Sequence, residues 1–367
     1  MRNLRKLLAY LLCAISCAIM PRLAAANVSG DVRGTTFFYL DGSAQDFPWV
    51  LDHQYDPAVR AKIDSLLSQY RSAGINWIRL LVATNHFPNR SDIHPVPTQA
   101  LIQKVNDFMA ITRAGANAGQ FTIELMLIPE QSNGQFTDVA PYTRDKLWYQ
   151  TWLSGLNYTN LGMVMFGGDL TPCLLQGCEF DGLTKNHADW IRGIWSWKVV
   201  NYPSINGSYE VIGVQQGSDN NYWMLLNMSW WNQTYTPTNP VLAASLYVEK
   251  PPGASWGDYA NATITILNNY ITYPGSKPLW IDEFGKKIGT EGYTWTAQDQ
   301  SAAFAGFYGA SVCSFQAQRF PKFAWVGGND SDLPLSYGLF SAFSGSTPVA
   351  RPALNDLSLY YNLQACP

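Results

Sequence analysis

Short β-branched or apolar runs return along this chain every few tens of residues, and most intervals between them carry apolar positions at helical spacing. Eight runs read as strands: Thr35–Leu40, Ile75–Val82, Phe121–Ile128, Leu161–Phe166, Glu210–Gln215, Leu242–Val248, Pro278–Glu283 and Lys322–Val326. Between the first two, Pro57 to Ala73 sets Val59, Ile63, Leu66, Leu67 and Tyr70 on one helical stripe, with Pro57 near its start. Pro97 to Ala114 repeats the pattern with Leu101, Ile102, Val105, Phe108 and Met109. Further helices fit Arg144–Leu153, His187–Val200, Tyr259–Tyr270 and Thr296–Gln318, while the connection from the fifth to the sixth strand, rich in Trp and Asn, reads mostly as loop. Alternating strands and helices predict an α/β chain built of βαβ units, and eight of them predict a (β/α)8 TIM barrel in a single domain. A doubly wound open sheet is the alternative, and no Gly-x-Gly-x-x-Gly follows the first strand to support a dinucleotide fold.

The N-terminus does not belong to that pattern. Arg2, Arg5 and Lys6 precede a short apolar run, Leu7 to Met20, and Ala24-Ala25-Ala26 offers a small-residue cleavage site. The run is too short to span a bilayer, so residues 1–26 read as a secretory signal and 27–367 as the folded domain, secreted or periplasmic, with no membrane span left. Without those residues the charge balance is 20 basic against 27 acidic, or −7, with no basic cluster, which argues against a nucleic-acid partner. Four cysteines remain, Cys173, Cys178, Cys313 and Cys366, an even number suited to disulfides in an exported chain. Three pairings are open; Cys173–Cys178 with Cys313–Cys366 is the favoured one, and a zinc site is the weaker reading of the close pair.

Candidate chemistry centres on Pro278-Leu279-Trp280-Ile281-Asp282-Glu283-Phe284-Gly285, an apolar strand that ends in a carboxylate. In a barrel of parallel strands, the C-terminal strand ends hold the reacting groups. A glutamate there, in a chain with 14 Trp and 20 Tyr but only 14% charged residues, suits carbohydrate cleavage, in which two carboxyl groups flank the bond and aromatic rings carry the sugar. Several rings sit among polar neighbours, as in Tyr222-Trp223, Trp230-Trp231 and Trp256. Four histidines without ligand spacing give no expectation of a metal, and no cofactor is implied. Gly253-Ala254-Ser255-Trp256-Gly257 matches a nucleophile-elbow pattern, but it follows two prolines and no histidine lies downstream, so it reads as a turn. Sequons occur at Asn157, Asn227 and Asn261, among others.

The octapeptide resembles the seventh-strand motif of the clan A glycoside hydrolases, in which the glutamate is the catalytic nucleophile. Other landmarks fall in order. Arg79 in Ile78-Arg79-Leu80 resembles the family arginine that hydrogen-bonds the nucleophile. Tyr247 in Leu246-Tyr247 resembles the family tyrosine near it, and Trp325 the tryptophan under the sugar. Tyr337-Gly338-Leu339-Phe340 and Arg351-Pro352-Ala353 are similar to the family's lead into its last helix. The resemblance implies a retaining hydrolase of β-linked oligo- or polysaccharides. One departure stands out: where the family has Asn-Glu, with the glutamate as acid/base, this chain has Gly168-Asp169. Asp169 is either the acid/base or an organiser of the loop around Cys173 and Cys178. Glu130, Glu179 and Asp219 are rival proton donors; Asn85 and His86, with Gln215, Gln216 and Asn220, are candidates for sugar hydroxyls. A separation of ~5–5.5 Å from Glu283 marks a retaining partner and ~6.5–9.5 Å an inverting one. The competing function is a non-catalytic carbohydrate-binding protein on the same scaffold.

Overall fold

A computed structural model of the chain describes residues 32–84, 90–93, 95–114, 121–129, 141–168, 183–215, 241–247, 255, 261, 264–265, 268, 278–290, 294–308, 322–324 and 335–363. One parallel sheet dominates. Its strands are β1 (Arg33–Phe37), β2 (Trp77–Ala83), β3 (Thr122–Ile128), β4 (Leu161–Phe166), β5 (Gly207–Ser208), β6 (Glu210–Gln215), β7 (Leu242–Tyr247), β8 (Leu279–Phe284) and β11 (Lys322–Ala324). Their spatial order is β5-β4-β3-β2-β1-β11-β8-β7-β6. The two end strands are thus consecutive in the chain, separated by Tyr209 alone. Val164 pairs with Gly207 on one side of that residue, and Glu210 with Ala243 on the other.

Helices connect successive strands, as the spacing predicts: Pro57–Ser72, Gln99–Arg113, Pro141–Gly155, Leu183–Asn201 and Ala297–Tyr308, with Pro352–Leu363 closing the described chain. Asn261, Ile264, Thr265 and Asn268 are helical too, inside the expected Tyr259–Tyr270 segment. Thr98 caps the second of these helices, its hydroxyl accepting from Leu101 N at 3.2 Å. All eight expected strands are present, with bounds moved by a few residues.

The largest shift is in β1, which begins at Arg33 and ends at Phe37, short of the expected Leu40. The cause is an unexpected helix, Phe47–His53, whose N-cap Asp46 accepts from Trp49 N at 3.0 Å. The chain turns back to bridge Tyr39 to Asp46 instead of extending the strand. A small antiparallel sheet of β9 (Ile288–Thr290), β10 (Thr294–Trp295) and β12 (Leu335–Ser336), and a hairpin of β13 (Phe340–Ser344) and β14 (Thr347–Ala350), were also not foreseen. No helix among the described residues is long and apolar enough to cross a membrane.

Strand alternation splits the core in two. Ile78, Leu80 and Val82 of β2, Ile123, Leu125 and Leu127 of β3, and Leu279 and Ile281 of β8 pack with the helices. The opposite face gathers Trp77, Leu81, Ala83, Met126, Ile128, Met163, Met165, Ala243 and Trp280 in a second cluster made of sheet residues and their flanks. There Trp77 and Trp280 meet edge to face with ring centroids 5.4 Å apart. Gly162 permits this, because a Cβ on it would lie 2.4 Å from both Thr122 Cγ2 and Trp77 Cη2. The second face also carries every charged side chain of the site.

Candidate active site

Period-two alternation would send one of Asp282 and Glu283 towards the helices. A β-bulge prevents it. Ala244 pairs with Ile281 but Ser245 with Glu283, and on the other flank Lys322 pairs with Ile281 but Ala324 with Phe284. Both neighbours count one extra residue on β8, and both Ile281 and Phe284 lie in the helix-side core. The two acids between them therefore share the opposite face, and both are buried.

Arg79 answers them. Its strand neighbours Ile78 and Leu80 face the helices, so the guanidinium points to the acids and is only 1% exposed. Nη2 donates to Glu283 Oε1 at 2.5 Å, Nη1 to the Asp282 carbonyl at 3.0 Å, and Nε to Thr36 Oγ1 at 3.1 Å. Nη1 also lies 3.3 Å from Asp282 Oδ2 and 3.7 Å from Glu210 Oε1. Ser245 Oγ donates to Glu210 Oε1 at 2.8 Å and stands 3.5 Å from Glu283 Oε2. Burial alone lowers the charge preference of Arg79, but Glu283, Asp282, Glu210 and Glu124 outweigh it and hold its pKa well above the ordinary value. The guanidinium is a fixed cation.

Four carboxyls around one guanidinium are too many to stay ionised away from water. Glu124 on β3 is the one that yields. Desolvation first, then the charge of Asp282, pushes its pKa well above that of an ordinary glutamate. Among the described residues, no hydrogen-bond donor reaches the carboxyl oxygens of Glu124 or Asp282. A proton on Glu124 supplies a donor for Asp282, whose Oδ2 stands 3.3 Å from Arg79 Nη1.

The structure thus brings together Glu283 and Arg79, two of the residues singled out in the sequence. Tyr247 ends β7 beside them in register with Gln215, its side chain outside the described part. Asp169, Asn85, His86 and Trp325 lie outside the described residues, as do Glu130, Glu179, Asp219, Gln216, Asn220 and the four cysteines. Gly168, next to Asp169, is described: a Cβ on it would meet Ile128 Cδ1 at 2.9 Å and Glu210 Oε2 at 3.1 Å. Arg351 secures the segment leading into the last helix, donating to the Gly338 carbonyl at 2.5 Å and to Ser336 Oγ at 2.6 Å.

Thr36, Glu124, Glu210, Ser245 and Asp282 were missed as members of the site. A signal for the acids existed. Thr-Ile-Glu-Leu-Met-Leu-Ile places a lone glutamate in a strand apolar on both faces, where an acid is costly without a partner.

No protein-family model and no curated protein sequence matches the chain. Solved structures do. A β-glucosidase from Thermotoga maritima, 10% identical, aligns with TM-score 0.58 over 91% of this chain and 97% of its own. A GH5-4 broad specificity endoglucanase from Clostridium acetobutylicum, 12% identical, aligns with TM-score 0.56 over 89% and 96%. A GH5 xyloglucan-specific endo-β-1,4-glucanase from a metagenomic library, 13% identical, gives 0.56 over 92% and 99%. The chain has the fold of these (β/α)8 glycoside hydrolases, as the resemblance of its eighth sheet strand, β8, implies.

Proposed function

We propose that this chain is a secreted glycoside hydrolase that cleaves β-linked glycans with retention, on a closed (β/α)8 barrel formed by residues 27–367. Two features support closure: the end strands β5 and β6 are joined through Tyr209 alone, and the second apolar cluster packs against its own sheet. The observation that carries the activity is Glu283, held at the C-terminal end of a strand by the 2.5 Å contact to Arg79.

In this reading a Glu283 carboxylate oxygen bonds to the anomeric carbon as the glycosidic C–O bond breaks, and Asp169 gives its proton to the leaving oxygen. Asp169 then takes a proton from water, whose oxygen displaces Glu283 and restores the carboxylate. Arg79 and Tyr247 orient Glu283, Trp325 floors the sugar, and Asn85 and His86 bind its hydroxyls. Carboxylates carry the whole reaction, so no cofactor is needed.

The test is reducing-sugar release from β-glucans, mannans, xylans and galactans by the mature protein beside Glu283→Gln. Release that drops by at least ~10³-fold in the variant supports the reading. No release from any glycan, with binding retained by both proteins, replaces it with the non-catalytic carbohydrate-binding reading.

A further inference from the structure

Glu283 and Glu210 compete for the same two donors. Ser245 has one hydroxyl proton; at 2.8 Å it belongs to Glu210, because the 3.5 Å approach to Glu283 is too long for a good O–H···O bond. Arg79 is divided in the opposite sense, with Nη2 2.5 Å from Glu283 and Nη1 3.7 Å from Glu210. Glu210 is 1% exposed, so it does not reach a substrate from this position. Its carboxylate has room because residue 168 has no side chain, since a Cβ there would already stand 3.1 Å from Glu210 Oε2. An asparagine, which the resemblance expects at 168, would press on the Glu210 carboxylate where it now lies.

We propose that Glu210 is a positioning residue for Glu283, a reserve anion that keeps Ser245 and Arg79 in place when Glu283 loses its charge. This rests on the hydrolase reading. While Glu283 is ionised, Arg79 is committed mainly to it, and Ser245 is held in waiting by Glu210. Once Glu283 is bonded to sugar, its negative charge is gone, and the buried guanidinium is left to Asp282 at 3.3 Å and Glu210 at 3.7 Å, of which Glu210 alone also holds Ser245. With Glu210 in place, both donors remain aligned for the carboxylate that reappears on hydrolysis. The same proximity couples the titrations of the two acids, because like charges bridged by one hydroxyl disfavour each other. The other charged or hydroxyl groups facing this pair among the described residues are Arg79 on β2, Glu124 on β3, Asp282 on β8 and Thr36 on β1.

The experiment labels glutamate carboxyl carbons with ¹³C in the mature protein and follows their titration by NMR, with Glu283→Gln assigning the Glu283 resonance. In Glu210→Gln the Glu283 midpoint should fall by about one to two pH units, the size of a like charge a few ångströms away. The acid limb of the pH–rate profile should follow it, with kcat down about tenfold and KM little changed. Ser245→Ala, the smaller change and the deciding variant if Glu210→Gln does not fold, should raise the Glu210 midpoint by removing its donor. Unmoved midpoints in a folded variant overturn the proposal. A wild type that releases no sugar defeats the hydrolase reading instead, and the titration still reports whether the two acids are coupled.

Discussion

Glu124→Gln tests the electrostatics of the site without touching Glu283 or Arg79. In the folded chain Glu124 keeps a proton that the unfolded chain releases near the ordinary glutamate value of 4.5. Between that value and its own raised titration point, the folded state binds one proton more than the unfolded state. Stability from this group is therefore complete at acidic pH and is lost as pH rises, at about 1.4 kcal/mol per pH unit. Glutamine is nearly isosteric, donates to Asp282 through its amide as the protonated acid does, and has no proton to lose. The difference in stability, Glu124→Gln minus wild type, should therefore climb by about 1.4 kcal/mol per pH unit above pH 5. For a domain of this length that is a melting-temperature difference growing by about 2 °C per pH unit.

Thermal melts of both proteins from pH 5 to pH 8 in one buffer series measure it. The absolute stabilities do not matter, because the slope of the difference is the observable. A difference that stays flat with pH would mean that Glu124 is ionised when folded, and one that falls would place the extra proton on the unfolded chain. Either result refutes the assignment of the proton to Glu124 and leaves one guanidinium facing a larger uncompensated charge than the fold should tolerate.

The other expectations follow from the same packing. Arg79→Met leaves Asp282, Glu283 and Glu210 buried without their cation, so it should cost about 3–5 kcal/mol in chemical denaturation at pH 7. The loss should shrink towards pH 5, because the orphaned acids then take up protons; a loss independent of pH would mean that Arg79 acts through packing alone. Gly162→Ala puts a methyl 2.4 Å from Trp77 and Thr122, and should lower stability by about 1–3 kcal/mol, read as a drop of a few degrees in melting temperature.

Why was the frame of this protein legible in its sequence, and half of its site not? The strands announce themselves because both of their faces are buried, so that β2, β3 and β8 are nearly continuous apolar runs whatever surrounds them. Glu283 and Arg79 were readable because each is a charge interrupting such a run, and the eight-residue motif gave one of them a role. Glu124 interrupts its strand in the same way, yet it carries no motif, and only spatial proximity to Asp282 reveals what it does. Asp282 was hidden by the bulge. Alternation counted back from Glu283 sends it to the helices, and the extra residue that keeps both acids on one face is visible only in the pairing of β8 with β7 and β11. Ser245 and Glu210 are harder still, since a serine and an acid on neighbouring strands acquire meaning only at 2.8 Å. What a sequence reading could have extracted is a count. Glu124, Glu210, Asp282 and Glu283 place four acids in three strands that also hold apolar runs, with Arg79 as the buried strand cation that meets them among the described residues, and such an excess in a buried setting favours a retained proton. The departure at Gly168 belongs to the same logic. Read along the chain it is a position without a side chain beside Asp169; in space a Cβ there would stand 3.1 Å from Glu210 Oε2, so the bare position and the buried acid are packed against each other.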